Sequence, residues 1–265
     1  MDLLQQWAEW RDDDFPFLLD ADRPFLTSER SRRSIVLFRS WSDAYRDSDF
    51  CAPDDTRLHL GLLPQPFVGD LQRATVFILS LNPGHDPTNY YGEYEVPEYR
   101  RALLANLKQE FGKASVPFLS LDPRFSWHGG FRWWHAKLAG VIEWLAKEVW
   151  KVPFSEARAR LARELVSIEL LPYHSAKFRD ADKWLEKLTS VNLAREFVKD
   201  VVIPRARDGK AVVIVTRQVK AWKLPEDLPP NVIRYNPAEA QAAHLSPNSR
   251  GGRAILDHLR SIPFC

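Results

Sequence analysis

The sequence has only two cysteines, Cys51 and Cys265. Two thiols build neither a disulfide framework nor a four-cysteine iron–sulfur cluster, and they point to a reducing, cytoplasmic setting. No Gly-x-Gly-x-x-Gly or Gly-x-x-x-x-Gly-Lys run occurs, which argues against dinucleotide and phosphate-loop binding. HGGF (His128–Phe131) resembles the oxyanion stretch of esterases, but no Gly-x-Ser-x-Gly elbow accompanies it. The spacing of His, Cys and carboxylates gives no zinc signature, and a zinc deaminase would need paired cysteines. No metal or cofactor is therefore expected. No apolar run approaches the ~20 residues of a membrane helix. The start, MDLLQQWAEWRDDD, is acidic and has no basic n-region or cleavage site, so it is not expected to be a signal peptide.

What is present is an ordinary globular balance over 265 residues, with 45% hydrophobic and 27% charged side chains. The net charge of +2 permits nucleic-acid binding without arguing for it. Ten tryptophans are expected to serve mostly as packing residues.

Residues 1–50 read as helical, with SIVLFRSWSDAY carrying apolar residues at helical spacing. Residues 56–70 read as extended and turn-rich. Strands are expected at Ala74–Leu81, Leu165–Leu171, Ala211–Thr216 and Asn231–Tyr235, each a short apolar run. Helices are expected at Glu98–Phe111, across Phe131–Trp150, from Ser155 to Glu164, from Ser190 to a stop at Pro204, and over Gly252–Arg260. This alternation predicts a three-layer α/β/α fold on a central four-stranded parallel sheet. An N-terminal helical extension (1–55) would pack on a core domain (56–265).

Parallel sheets place their sites in the loops beyond the strand carboxyl ends. The loop after the first strand offers Asn82, His85 and Asp86 between Pro83 and Pro87; the bland alternative is an Asx-turn. Its neighbours Tyr90, Tyr91 and Tyr94 offer rings for stacking. The loop after the fourth offers His244, Ser246, Pro247, Asn248, Ser249 and Arg250 ahead of the final helix. An N-capping Ser-Pro turn would account for Ser249 but not for His244.

With these residues in view, LSLNPGHDP resembles the first motif of the uracil-DNA glycosylase superfamily in its Asn-Pro-Gly form. HLSPNSRGG is similar to that family's minor-groove loop, and GGFRWWHAKL to a stretch of its single-strand-selective branch. The resemblance covers about Pro64 to Gly252. It implies a monomeric, monofunctional DNA glycosylase that flips a base from the helix and hydrolyses its N-glycosidic bond. Asn82 would hold the attacking water, and His244 would donate to the charge developing on the departing base. Ser246, Pro247, Asn248, Ser249, Arg250, His174 and Lys177 would meet DNA. Tyr91 and His85 would contact the base.

One position departs from the family. Where the second strand normally ends in an Asn that reads uracil, SIELLPYHS places Glu169. A carboxylate accepts from an exocyclic amine, as Glu does from cytosine N4, and cannot donate to a carbonyl. The expected substrate is thus a damaged or modified base, such as a modified cytosine. The biological setting would be DNA repair or defence against bacteriophage DNA. A non-catalytic DNA- or nucleotide-binding module on the same fold is the rival reading.

Overall fold

The computed structural model describes residues 2–112, 116–178 and 184–261. Its strands are β1 (Ile35–Val36), β2 (Leu58–His59), β3 (Phe67–Val68), β4 (Val76–Ser80), β5 (Leu165–Glu169), β6 (Val212–Val215) and β7 (Val232–Arg234). The helices that build the core and the site are α1 (Leu3–Ala8), α2 (Arg23–Leu26), α3 (Trp41–Tyr45), α4 (Thr88–Glu95), α5 (Pro97–Leu107), α6 (Gly129–Trp144), α7 (Phe154–Glu164), α8 (Thr189–Phe197), α9 (Ile203–Arg207), α10 (Pro237–Ala242) and α11 (Arg250–Ser261). Among the described residues no helix is long and apolar enough to cross a membrane.

The main sheet runs β3-β5-β4-β6-β7. β5, β4, β6 and β7 are mutually parallel, whereas β3 is antiparallel to β5. The sheet is therefore five-stranded and mixed, not four-stranded and parallel. The extra strand has two residues, wedged between Pro66 and Gly69, and two residues carry no periodicity. Gly69 ends it in a left-handed conformation (φ 112°), close against β5, where a side chain would collide with the Leu165 carbonyl.

The parallel strands β4, β5 and β6 are almost wholly buried on both faces and mostly apolar, with Ser167 and Glu169 the buried polar exceptions in β5. Val76, Ile78, Leu165, Val212 and Ile214 join one hydrophobic cluster with residues of α5, α6, α7 and α11. Phe77, Leu79, Val166, Ile168, Val213 and Val215 join the other, with residues of α1, α8 and α9. Alternation along each strand thus feeds two helical layers.

The N-terminal residues are less helical than the spacing predicts. In SIVLFRSWSDAY, Ile35–Val36 pairs in parallel with Leu58–His59. The helix α3 starts only after Ser40, whose hydroxyl accepts from the Asp43 amide. Trp7, Leu18, Leu19 and Leu26 share the Phe77 cluster. Nor does Pro204 close a helix. A π-turn at Val198–Val202 follows α8, and Pro204 lies in the first turn of α9, where its missing N–H is harmless.

Asp22 fastens the N-terminal segment to the core. Its buried carboxylate accepts from the Tyr173 hydroxyl at 2.7 Å and the Ser190 amide at 3.2 Å. Asp22→Ala strands both donors in a dry site, and is expected to lower the unfolding free energy by about 2–4 kcal/mol in urea titrations.

Candidate functional site

Beyond the carboxyl ends of β4, β5 and β6 lies a cavity of about 480 Å³, lined by Asn82, Glu169, Ser167, Ser175, His128 and Trp133 among others. That volume falls within the range of small-molecule sites. The loop after β4 forms one wall. Its conformation is fixed by the loop after β5: His174 Nδ1 donates to the Gly84 carbonyl at 2.8 Å, and Asn82 Nδ2 donates to the Ser175 carbonyl at 3.3 Å. The second bond fixes the Asn82 amide. With Nδ2 engaged, Oδ1 is left as the acceptor available to a water or ligand. Gly84 takes φ 73°, which a side chain would resist.

Glu169 ends β5 and pairs with Ser80 in the register of β4. Its side chain is buried and lines the cavity, and Oε2 has no hydrogen-bond partner among the described residues. Burial pushes its carboxyl up to about 8, against a weaker opposing pull from Arg217. At neutral pH the side chain is thus a carboxylic acid with one O–H to give. The expectation that Glu169 cannot donate to a carbonyl holds only above about pH 8. Below that, the acid presents a donor and an acceptor side by side, as an amide does.

The other candidates fall in several places. His85 is half-buried, lines the cavity and stacks on His59, with ring centroids 3.9 Å apart. Burial keeps its imidazole well below the ordinary range, with His59 beside it as the next cause. Lys177 lines the cavity from an exposed position at its rim. His174 is buried and engages Gly84 through Nδ1, so it braces the loop and does not reach a DNA backbone. Tyr91 does not line the cavity. It lies edge-on to Trp41 and Trp127, because α4 starts at Thr88 and turns this ring outward. Tyr90 and Tyr94 pack against each other instead.

His244 is exposed and does not line the cavity, although Ala243 does. The cause is local. Ala243 is left-handed (φ 45°) at the end of α10, and the turn sends Leu245 into the core. The His244 carbonyl accepts from the Tyr235 hydroxyl, which holds its backbone in place. In the following residues Ser249 Oγ accepts from the Gly252 amide at 3.0 Å, so this serine caps α11. Arg250 pairs with Glu239 at 3.0 Å. Ser246 and Asn248 remain exposed, with Pro247 half-buried beside Gly140 of α6.

Three groups in the cavity escape a sequence reading. Ser167 and Ser175 line it with buried hydroxyls, and His128 with a buried Nε2, that have no partner among the described residues. Only His128 carries a signal, the HGG run at the start of a helix.

No protein family, curated protein or solved structure matches the chain.

Glu169 has a thermodynamic signature. Its folded-state value of about 8 lies above the ordinary 4.5. The folded protein therefore binds the proton more tightly, and stability contributed below pH 4.5 drains away as pH rises toward 8. Glu169→Gln removes that drain. The variant should match wild type near pH 4.5 and exceed it near pH 8 by a few kcal/mol, since each tenfold difference in proton affinity between folded and unfolded chains is worth roughly 1.4 kcal/mol. Denaturant titrations at the two pH values provide the comparison.

Proposed function

We propose that the chain is a monofunctional DNA glycosylase that binds a flipped, damaged or modified base in the 480 Å³ cavity and hydrolyses its bond to deoxyribose C1′. The observation that carries this reading is the meeting of Asn82 and a buried, unpartnered Glu169 in one cavity at the carboxyl edge of the parallel strands. Asn82 Oδ1 holds the attacking water. Glu169 reads the base edge. Ionised, above about pH 8, its carboxylate accepts from an exocyclic amine, so amino-bearing bases such as modified cytosines are the class it prefers there. The exposed residues His244, Ser246 and Asn248 follow Ala243, which lines the cavity, and would meet the strand from which the base is drawn. A role in repair or in defence against bacteriophage DNA fits this chemistry equally.

A second reading has its own observation. His244 is exposed and outside the cavity lining, and a module that only binds a flipped or modified base needs no such donor.

Mass spectrometry of bases freed from a panel of DNAs separates the two. The panel holds uracil, hypoxanthine, alkylated purines, oxidised cytosines and phage DNA with natural cytosine modifications. Release of one modified base is the expected result, with Asn82→Ala abolishing release while leaving DNA affinity nearly intact. DNA binding without release from any member selects the binding module.

Base preference should also follow pH. Below about pH 8 the neutral Glu169 can donate to a uracil carbonyl, and above it only accepts. The ratio of amino-base to uracil turnover is expected to rise through pH 8, and Glu169→Gln to flatten it. A pH-independent wild-type ratio would remove Glu169 from base selection.

A further inference from the structure

With His244 outside the cavity lining, the glycosylase reading needs another group of the cavity to receive the charge of the departing base. That charge cannot be ignored. As the C1′–N bond breaks, its electron pair stays on the base nitrogen and spreads over the ring. A C1′–O bond forms to the water held by Asn82, and the water's proton leaves to solvent.

One side chain of the cavity fits the task. His128 is the N-cap of the 16-residue helix α6, and Nδ1 accepts from the Gly130 amide at 3.0 Å. An amide N–H can only donate, so Nδ1 carries the lone pair and the proton of the neutral ring sits on Nε2. Nε2 is buried, has no partner among the described residues and belongs to a residue that lines the cavity. It is therefore a donor without an acceptor, the costly half of an unmade hydrogen bond. Its setting carries opposing influences, the helix start favouring negative charge and the nearby Asp86 carboxylate disfavouring it. The start of α6 supplies the positive end of a helix dipole. Gly129 and Gly130 line the cavity with it, and a side chain at Gly129 would collide with the Asp86 carboxylate. Burial lowers the His128 imidazole to about 4, with smaller contributions from Asp86, which opposes, and from His174 and Arg132. The ring therefore stays a neutral donor, as a group that polarises without surrendering a proton should.

We propose that His128 is a catalytic residue of this site: Nε2–H donates to the ring atom of the flipped base that gains negative charge as the glycosidic bond breaks. The role rests on the glycosylase reading above. His128 keeps its proton throughout, and the base leaves with the electron pair.

The test uses the full chain and matched oligonucleotides carrying uracil-type and cytosine-type bases, each with and without 5-fluorination, which makes the base a better leaving anion. His128→Asn retains a side-chain oxygen to cap α6 and withdraws the Nε2 donor. Single-turnover base release is expected to fall about 10²–10³-fold, with DNA affinity and melting temperature close to wild type. The deficit should shrink on the fluorinated bases, which a merely structural role would not produce. Equal loss on fluorinated and plain bases, or an unchanged rate, overturns the role of His128 while leaving the glycosylase reading intact. No release by wild type from any oligonucleotide overturns both. A measurement on the wild-type protein stands independently of any variant: nitrogen-15 NMR at neutral pH is expected to show a neutral His128 protonated at Nε2. A proton on Nδ1, or an imidazolium, overturns the assignment.

Discussion

The hydrogen bonds between the loops after β4 and β5 hold the site in register. His174 Nδ1 grips the Gly84 carbonyl, and Asn82 Nδ2 grips the Ser175 carbonyl. The His59 amide in turn donates to the His174 carbonyl at 2.9 Å, so β2 is drawn into the same lattice. Neither loop is free to set its own course. The β4 loop is further stiffened by Pro83 and Pro87, and Gly84 supplies the one left-handed position it requires. The orientation of Asn82 is a result of this bracing. An amide free to rotate would present either end to a ligand, whereas a braced one presents its oxygen.

The cavity runs against the ordinary rule of a protein interior. Elsewhere the sheet is sealed by aliphatic and aromatic packing on both faces, with the parallel strands almost wholly buried. At its carboxyl edge, Glu169 Oε2, Ser167 Oγ, Ser175 Oγ and His128 Nε2 are all buried without partners. Each such atom costs about 1–3 kcal/mol. A fold selected for stability alone would replace them with apolar groups or pair them. These four belong to residues that line one cavity, although buried polar atoms without a partner among the described residues occur elsewhere too, as at Trp7 and His258.

The parallel strands are legible in the sequence because burial on both faces demands unbroken apolar runs, as in Val76–Ser80 and Val212–Val215. The same reading puts Asn82 just beyond a strand, as the structure has it, but runs the second strand on to Leu171, whereas β5 ends at Glu169. Two-residue strands such as Phe67–Val68 are not legible, since neither period nor length announces them. Side-chain direction in loops is hidden for a different reason. Nothing local in the sequence announces that Ala243 is left-handed, and that single residue decides that Leu245 enters the core while His244 stays outside. Helix starts hide direction as well. Tyr91 faces out because α4 begins at Thr88, where the Asp86 carboxylate accepts from the Thr88 amide at 2.9 Å. His128 is hidden by its own motif: HGGF on its face suggests an esterase stretch, whereas the structure makes the residue the N-cap of α6, accepting from the Gly130 amide.

Helix α6 touches both ends of this arrangement. His128 caps its start beside the chamber, and more than two turns on, Lys137 Nζ donates to the Ala242 carbonyl. Less than one turn further, Gly140 lets Pro247 approach so closely that a side chain there would lie 2.9 Å from Pro247 Cδ. One helix therefore runs from the His128 cap beside the cavity to the Pro247 turn, and a side chain added at Gly140 would push that turn away from the helix.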